Sequence, residues 1–113
     1  RKPDPQVYQR CLEWLDLDPE DAIAIEDSYN GLAAARAAGL PVLVARSVFF
    51  ASDPHSGAMA VCDHLDAPAT PSPRLVGASK AHVDLPLLRE WHALWWRDLL
   101  PSGWSTSFDD PGL

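Results

Sequence analysis

The stretch that decides the fold of this chain is residues 22–39, which read AIAIEDSYNGLAAARAAG. Its first four residues form a continuous apolar run, which is typical of a short strand buried on both faces of a sheet. Two carboxylates, Glu26 and Asp27, end that run, and the alanine-rich residues 31–38 favour a helix. Gly39 is a natural residue for ending that helix. The stretch therefore predicts a strand, a turn and a helix in close succession.

The segments on either side extend this alternation. Upstream, Asp4 and Pro5 suit the N-cap and the first position of a helix over residues 5–16. Downstream, residues 42–45 predict a second buried strand, and residues 58–62 predict a weaker one. Helices and strands in this order indicate an α/β fold with a parallel sheet. The apolar residues of the first helix recur at spacing four, with two more beside them: Val7, Cys11 and Leu15, then Tyr8 and Leu12.

Residues 67–113 differ in composition from the preceding part of the chain. Residues 67–74 read APATPSPR and hold three prolines, so we expect a linker over residues 67–83. A helix capped by Asp84 is predicted to follow, and a polar tail ends the chain. The predicted division is a core over 1–66, the linker over 67–83, and a Pro/Trp-rich helix and tail over 84–113. One stripe of that helix is apolar and is expected to face the core: Leu88, Trp91, Trp95 and Leu99.

Composition excludes several classes of partner. The chain has 113 residues, enough for one small domain or part of a larger one. Nine basic residues face sixteen acidic ones, and a net charge of −7 argues against binding nucleic acid or an anionic membrane surface. No apolar run reaches the ~18 residues that a bilayer requires. The two cysteines form no CxxC motif, so a reduced, cytoplasmic chain is expected. Because the first residue is Arg1, we also expect a fragment of a longer protein.

Glu26 and Asp27 are candidate magnesium ligands. Ligands of parallel sheets bind outside the carboxyl ends of the strands, where these two residues are predicted to lie. Mg²⁺ accepts one or two carboxylates, keeps several waters and is completed by substrate phosphate. Lys2 could add positive charge for a phosphate group. From spacing alone the alternative stays open that Asp27 or Ser28 only caps the helix and that Lys2 is a surface lysine.

Two blocks of this sequence resemble the haloacid dehalogenase superfamily of phosphohydrolases. Residues 2–5, KPDP, are similar to the third motif of that superfamily, and residues 25–39 are similar to the fourth. The wording EDSYNG and the later VCDHL of residues 61–65 resemble the CbbY-type branch, which is related to β-phosphoglucomutase. The resemblance covers residues 1–66 and implies the C-terminal half of a Rossmann-like parallel-sheet core.

The resemblance also implies roles for individual residues. Lys2 matches the lysine that steadies the nucleophile and the transferring phosphoryl group. Asp27 matches a magnesium ligand, and Glu26 matches the neighbouring carboxylate; Ser28 and Asn30 are neighbours in the phosphate loop. The reaction implied is a magnesium-dependent phosphatase reaction through an aspartyl-phosphate. The implied substrates are small phosphorylated sugars, with a sugar bisphosphate such as xylulose bisphosphate within this branch.

The chain departs from the family at the nucleophile. No Asp-x-Asp pair follows an apolar strand, because Asp16-Leu17-Asp18 lies at a predicted helix end and is interpreted as a polar turn. The isolated chain is therefore expected to be inactive. Two alternatives remain open: part of a phosphomutase of the β-phosphoglucomutase kind, or a non-catalytic remnant that acts as an interaction module. Surface left exposed by a missing half is expected to promote self-association.

Overall fold

The structure is a computed structural model that describes residues 4–45 and 57–97. The described strands form one sheet with the order β1-β2-β3-β4-β5. The first three strands are parallel, and β4 and β5 join antiparallel. The predicted α/β class with a parallel-dominated sheet is thus confirmed. In chain order the described elements are α1 (Gln6–Leu15), a 3-10 turn (Pro19–Asp21), β1 (Ala24–Glu26), α2 (Tyr29–Ala37), β2 (Val42–Ala45), β3 (Ala60–Cys62), β4 (Pro68–Pro71), β5 (Ala81–His82) and α3 (Leu85–Arg97).

The core lies on both faces of the sheet, and β2 divides it. Val42 and Val44 pack with α1 and α2, whereas Leu43 between them packs with Trp91 and Trp95 of α3. This division follows from the two-residue period of a strand, which sends successive side chains to opposite faces. All three of these β2 side chains are fully buried. A strand covered on both faces reads as a continuous apolar run, as predicted for residues 42–45.

Local sequence signals explain where the helices begin and end. The Asp4 carboxylate accepts a hydrogen bond from the Gln6 backbone N–H at 2.9 Å, at the start of α1. Asp84 does the same for α3, where the Leu87 N–H donates at 2.8 Å. Gly39 follows α2 with a φ of +88°, a conformation that glycine adopts without the Cβ penalty of other residues. The predictions for Asp84 and Gly39 are confirmed, whereas the N-cap of α1 is Pro5 and not the predicted Asp4, because this helix begins one residue later, at Gln6.

The first helix buries only part of the predicted apolar face. Val7, Cys11 and Leu15 lie on the exposed side of α1, and only Leu12 of this helix is fully buried, with Tyr8 packed beside it. Regular spacing identified an apolar stripe correctly but could not tell which of two adjacent stripes faces the sheet. Ile25 of β1 is likewise 49% exposed, so the prediction of a strand buried on both faces is wrong for β1.

The prediction of a linker over residues 67–83 is also wrong, because this segment contributes two strands to the sheet. Pro68 and Pro71 stand at the two ends of β4, where a missing N–H interrupts the ladder least. Between them Ala69 is fully buried. The Ser72 N–H donates to the Met59 carbonyl at 2.8 Å and continues the pairing of this segment with β3. Residues 67–83 therefore belong to the folded body of the chain.

The tryptophan stripe of α3 faces the core, as predicted. Trp91 and Trp95 are buried, and the Arg74 guanidinium lies 3.8 Å from the centre of the Trp95 ring. The same guanidinium donates two hydrogen bonds to the Trp95 carbonyl, at 3.1 and 2.7 Å. Arg74 thus neutralises the partial negative charge at the end of α3. The predicted tail, including Leu99, lies outside the described residues. Within the described ranges, no helix is long and apolar enough to cross a membrane.

Candidate functional site

The candidate site begins where β1 ends. Glu26 is the last residue of β1 and is half-buried, whereas Asp27 and Ser28 are exposed in the turn that leads to α2. The Ser28 hydroxyl caps α2, because it accepts a hydrogen bond from the Gly31 N–H at 3.0 Å. The cap that the sequence assigned to either Asp27 or Ser28 is therefore Ser28. The Asp27 carboxylate is not required to begin the helix.

Burial raises the pKa of the Glu26 carboxyl above its usual range. The largest cause is loss of solvent, and the negative charge of the adjacent Asp27 raises the pKa further. A hydrogen bond from the Asp27 backbone acts in the opposite direction and lowers it. A cation placed beside Glu26 would favour the charged form of this carboxylate, which burial and Asp27 disfavour.

The Glu26 carboxylate packs against Gly31, one turn into α2. A Cβ built at Gly31 would overlap the carboxylate, and it would lie 3.1 Å from Cγ of Glu26. This contact links the end of β1 to the first turn of α2. This contact was not predicted from the sequence, in which Gly31 belongs to the family motif and to the predicted helix. The available signal was a glycine standing at the start of an otherwise alanine-rich helix, where alanine is the better helix former.

Four of the five predicted site residues lie in the described part of the chain, at the end of β1 and the start of α2. Glu26, Asp27 and Ser28 are consecutive, and Asn30 lies exposed in the first turn of α2. Lys2 lies outside the described residues. Another acidic side chain, Asp63, follows β3 on the same edge of the sheet. Within residues 4–45 and 57–97, however, no three His, Cys, Asp or Glu side chains are grouped closely enough to hold a metal ion.

The residues present fit magnesium in chemistry but supply only part of a site. Glu26 and Asp27 offer carboxylate oxygens, which are the ligands that Mg²⁺ prefers. A Mg²⁺ ion also keeps several waters, so two protein carboxylates are compatible with it. Further ligands would have to come from substrate phosphate or from a segment outside the described residues.

The Asp16-Leu17-Asp18 sequence is a structural turn, as predicted. Asp16 ends α1 with a φ of +55°, and its backbone N–H donates to the Glu13 carbonyl at 3.1 Å. Asp18 precedes the 3-10 turn, and its backbone N–H donates to the Asp21 carboxylate at 3.1 Å. Asp16 therefore terminates α1, and Asp18 begins the 3-10 turn. These structural roles account for both aspartates, and neither needs to act as a nucleophile.

Comparison with known proteins finds sequence relatives of this chain. A model of the family described as haloacid dehalogenase-like hydrolase matches residues 1–39. The plasmid-borne protein CbbY of Cupriavidus necator is 50% identical over 93 residues, which cover 81% of this chain and 37% of that protein. Over the residues that these proteins match, the chain is similar to CbbY-like members of the haloacid dehalogenase superfamily. Hexitol phosphatase B of Escherichia coli strain K12 is 42% identical over 53 residues, covering 47% of this chain and 24% of that phosphatase.

A solved structure of the same branch is also similar. The crystal structure of CbbY from Rhodobacter sphaeroides in complex with xylulose-(1,5)bisphosphate shares 41% sequence identity with a TM-score of 0.49, covering 57% of this chain and 28% of that chain. The chain thus spans well under half the length of each of these relatives.

Proposed function

We propose that this chain is part of a magnesium-dependent phosphatase that acts on small phosphorylated sugars. One observation carries the proposal: the Glu26–Asp27 pair stands at the carboxyl end of a parallel strand, directly before a helix whose cap is supplied by Ser28 instead. Neither carboxylate is therefore needed to cap the helix, and both can bind a ligand. Similarity to the haloacid dehalogenase superfamily supports a phosphoryl-transfer role for them.

The residues of this chain would bind and orient, while the attacking group lies elsewhere. Asp27 would ligate Mg²⁺ directly, and Glu26 would ligate it directly or through water. Lys2 would steady the phosphoryl group, and Ser28 and Asn30 would line the phosphate loop. When bound, the ion would offset negative charge on the phosphoryl oxygens. The nucleophile would be a carboxylate outside this chain, which takes the phosphoryl group before water releases it.

The proposed substrate class rests on the relatives. The name of hexitol phosphatase B refers to a phosphorylated sugar alcohol, and that of the phosphorylated carbohydrates phosphatase of Thermotoga maritima refers to phosphorylated carbohydrates. We therefore propose phosphorylated sugars as the class and retain a sugar bisphosphate, such as xylulose bisphosphate, as the first compound to test. A phosphomutase would use the same residues, so the assay should measure both release of phosphate and transfer of phosphate between positions of the sugar.

The genomic sequence immediately upstream tests whether the chain belongs to a complete enzyme. A reading frame that continues upstream into an apolar strand followed by D-x-D would support the phosphatase. A start codon near Lys2 would contradict it and would favour a non-catalytic interaction module. The purified 113-residue chain is expected to show no magnesium-dependent turnover of sugar phosphates, because no Asp-x-Asp pair follows an apolar strand in its sequence.

In the chain extended upstream by that reading frame, Asp27→Ala is expected to remove most of the phosphatase activity. The reason is loss of a proposed metal ligand, and steady-state kinetics with added Mg²⁺ measure it. Asp18→Ala is the matched control, because it removes a carboxylate from a structural turn and should leave activity nearly unchanged. Full activity of Asp27→Ala would show that the metal role does not belong to Asp27.

Magnesium binding by the 113-residue chain alone is expected to be weak. Two carboxylates without substrate phosphate make a poor site, since the ion sheds its waters reluctantly. We expect a Kd in the millimolar range or weaker, which corresponds to about −4 kcal/mol or less favourable. Isothermal titration calorimetry with MgCl₂ measures this, and Asp27→Asn should abolish the heat that remains. A micromolar Kd would mean that the described residues form a more complete site than the two carboxylates.

A further inference from the structure

The contact between Glu26 and Gly31 has no explanation in the backbone of α2. Gly31 lies inside the helix, in a conformation that other residues adopt readily, unlike Gly39 with its φ of +88°. Alanine would suit this position better, because glycine in a helix costs stability relative to alanine. The residues that follow in the same helix, from Ala33 to Ala35, are all alanine. Helix formation therefore gives no reason for glycine here.

The position of the Glu26 side chain explains why residue 31 is a glycine. The three atoms nearest to a Cβ built on Gly31 all belong to Glu26, namely Oε1, Cδ and Cγ. The carboxylate of Glu26 thus occupies the volume that the side chain of any other residue would fill. A side chain at Gly31 would therefore displace the Glu26 carboxylate from the first turn of α2, where the Asp27 backbone hydrogen-bonds to it.

We propose that Gly31 is a positioning residue whose missing side chain allows the Glu26 carboxylate to lie against the first turn of α2, beside Asp27. The consequence for catalysis rests on the proposed function, in which Glu26 assists at the magnesium site. The positioning itself is a property of this chain. It can be tested without activity, in the chain as it stands.

A double-mutant cycle on the 113-residue chain tests the positioning. In the Glu26→Ala background, Gly31→Ala is expected to raise the folding equilibrium constant, because alanine is the better helix former. In the wild-type background the same substitution must displace the carboxylate. The two effects on the folding equilibrium constant should therefore differ by at least about threefold, measured by urea unfolding at neutral pH. Equal effects in the two backgrounds would overturn the proposal.

Two controls make the cycle specific. Ala37→Gly changes helix propensity at the opposite end of α2 and should have the same effect in the wild-type and the Glu26→Ala backgrounds. The ¹³C resonance of the Glu26 carboxyl group provides a direct readout, and it should move in Gly31→Ala and remain in place in Ala37→Gly. An unmoved Glu26 resonance in Gly31→Ala would contradict the proposal independently of stability.

The upstream-extended chain then tests the consequence for catalysis. There Gly31→Ala is expected to lower kcat by about tenfold to 100-fold, because misplacing a group by about 1 Å costs that much. Glu26→Asp, which is shorter by one methylene group, should restore part of the lost activity in the Gly31→Ala background. If the cycle shows coupling but Gly31→Ala keeps full activity, the positioning stands and the proposed role of Glu26 is wrong.

Discussion

The environment of Glu26 links the stability of the chain to pH. Burial and the neighbouring Asp27 raise the pKa of its carboxyl, so the folded chain holds a proton on Glu26 to a higher pH than the unfolded chain does. Stability is linked to this difference, because the state that binds more protons is favoured as pH falls. The contribution of Glu26 to stability is therefore greatest below its ordinary pKa of 4.5 and declines as pH rises through the raised value.

Glu26→Gln is accordingly expected to stabilise the chain at pH 7 relative to wild type. The substitution removes a carboxylate whose charge is disfavoured by burial and by Asp27, while it keeps nearly the same shape. The difference should shrink toward zero below about pH 4, where the wild-type side chain is protonated in both states. Urea unfolding at several pH values measures it. If the stability of Glu26→Gln relative to wild type were lower at pH 7 than at pH 4, the pKa of Glu26 would be lowered by folding and not raised.

The sequence could not show which of Ser28 and Asp27 caps α2. Both residue types are good N-caps, and both stand at the correct place before α2. The structure decides between them because only the Ser28 hydroxyl accepts the Gly31 N–H. The family motif identified Glu26 and Asp27 from sequence, but the raised pKa of Glu26 arises from burial, which depends on how α2 packs over the end of β1.

At the scale of single elements, Ser28→Ala is expected to destabilise α2 by about 1 kcal/mol, the typical cost of losing an N-cap hydrogen bond. Asp27→Ala should cost much less, since Asp27 does not supply that cap. Thermal or chemical unfolding of the two variants measures the difference. Comparable losses for Asp27→Ala and Ser28→Ala would mean that Asp27 also stabilises the helix start.

The elements that the sequence predicted well are those whose signal is local. β2 was predicted over its full length because an interior strand with two covered faces reads as an uninterrupted apolar run. α2 and α3 were recognisable from Ser28, Gly39 and Asp84, which act within one turn. In contrast, β4 was missed because its prolines argue for a loop, and only its pairing with β3 reveals that they occupy the strand ends.

At the scale of the whole molecule, one edge of the described sheet is open. β1 pairs with β2 on one side and with no other described strand. Ile25 is half-exposed at this edge, and a cavity of about 340 Å³ lies between β1 and α3. On the other side of the sheet, α1 exposes Trp14, 93% of whose surface is accessible. Exposed apolar side chains therefore lie on both faces of the described sheet.

The 113-residue chain is therefore expected to self-associate through the β1 edge, because an exposed apolar edge strand is a template for pairing with another chain. The net charge of −7 opposes association, and salt screens that repulsion, so association should strengthen between low and moderate ionic strength. Sedimentation equilibrium over a range of protein and salt concentrations measures it. Ile25→Lys places a charge on the edge and should shift the chain toward monomer, whereas Val76→Lys, at a residue that is 77% exposed and outside the strands and helices, should not. A wild-type chain that stays strictly monomeric at every concentration and unfolds in a single sharp transition would show that the described fold is self-sufficient at this edge.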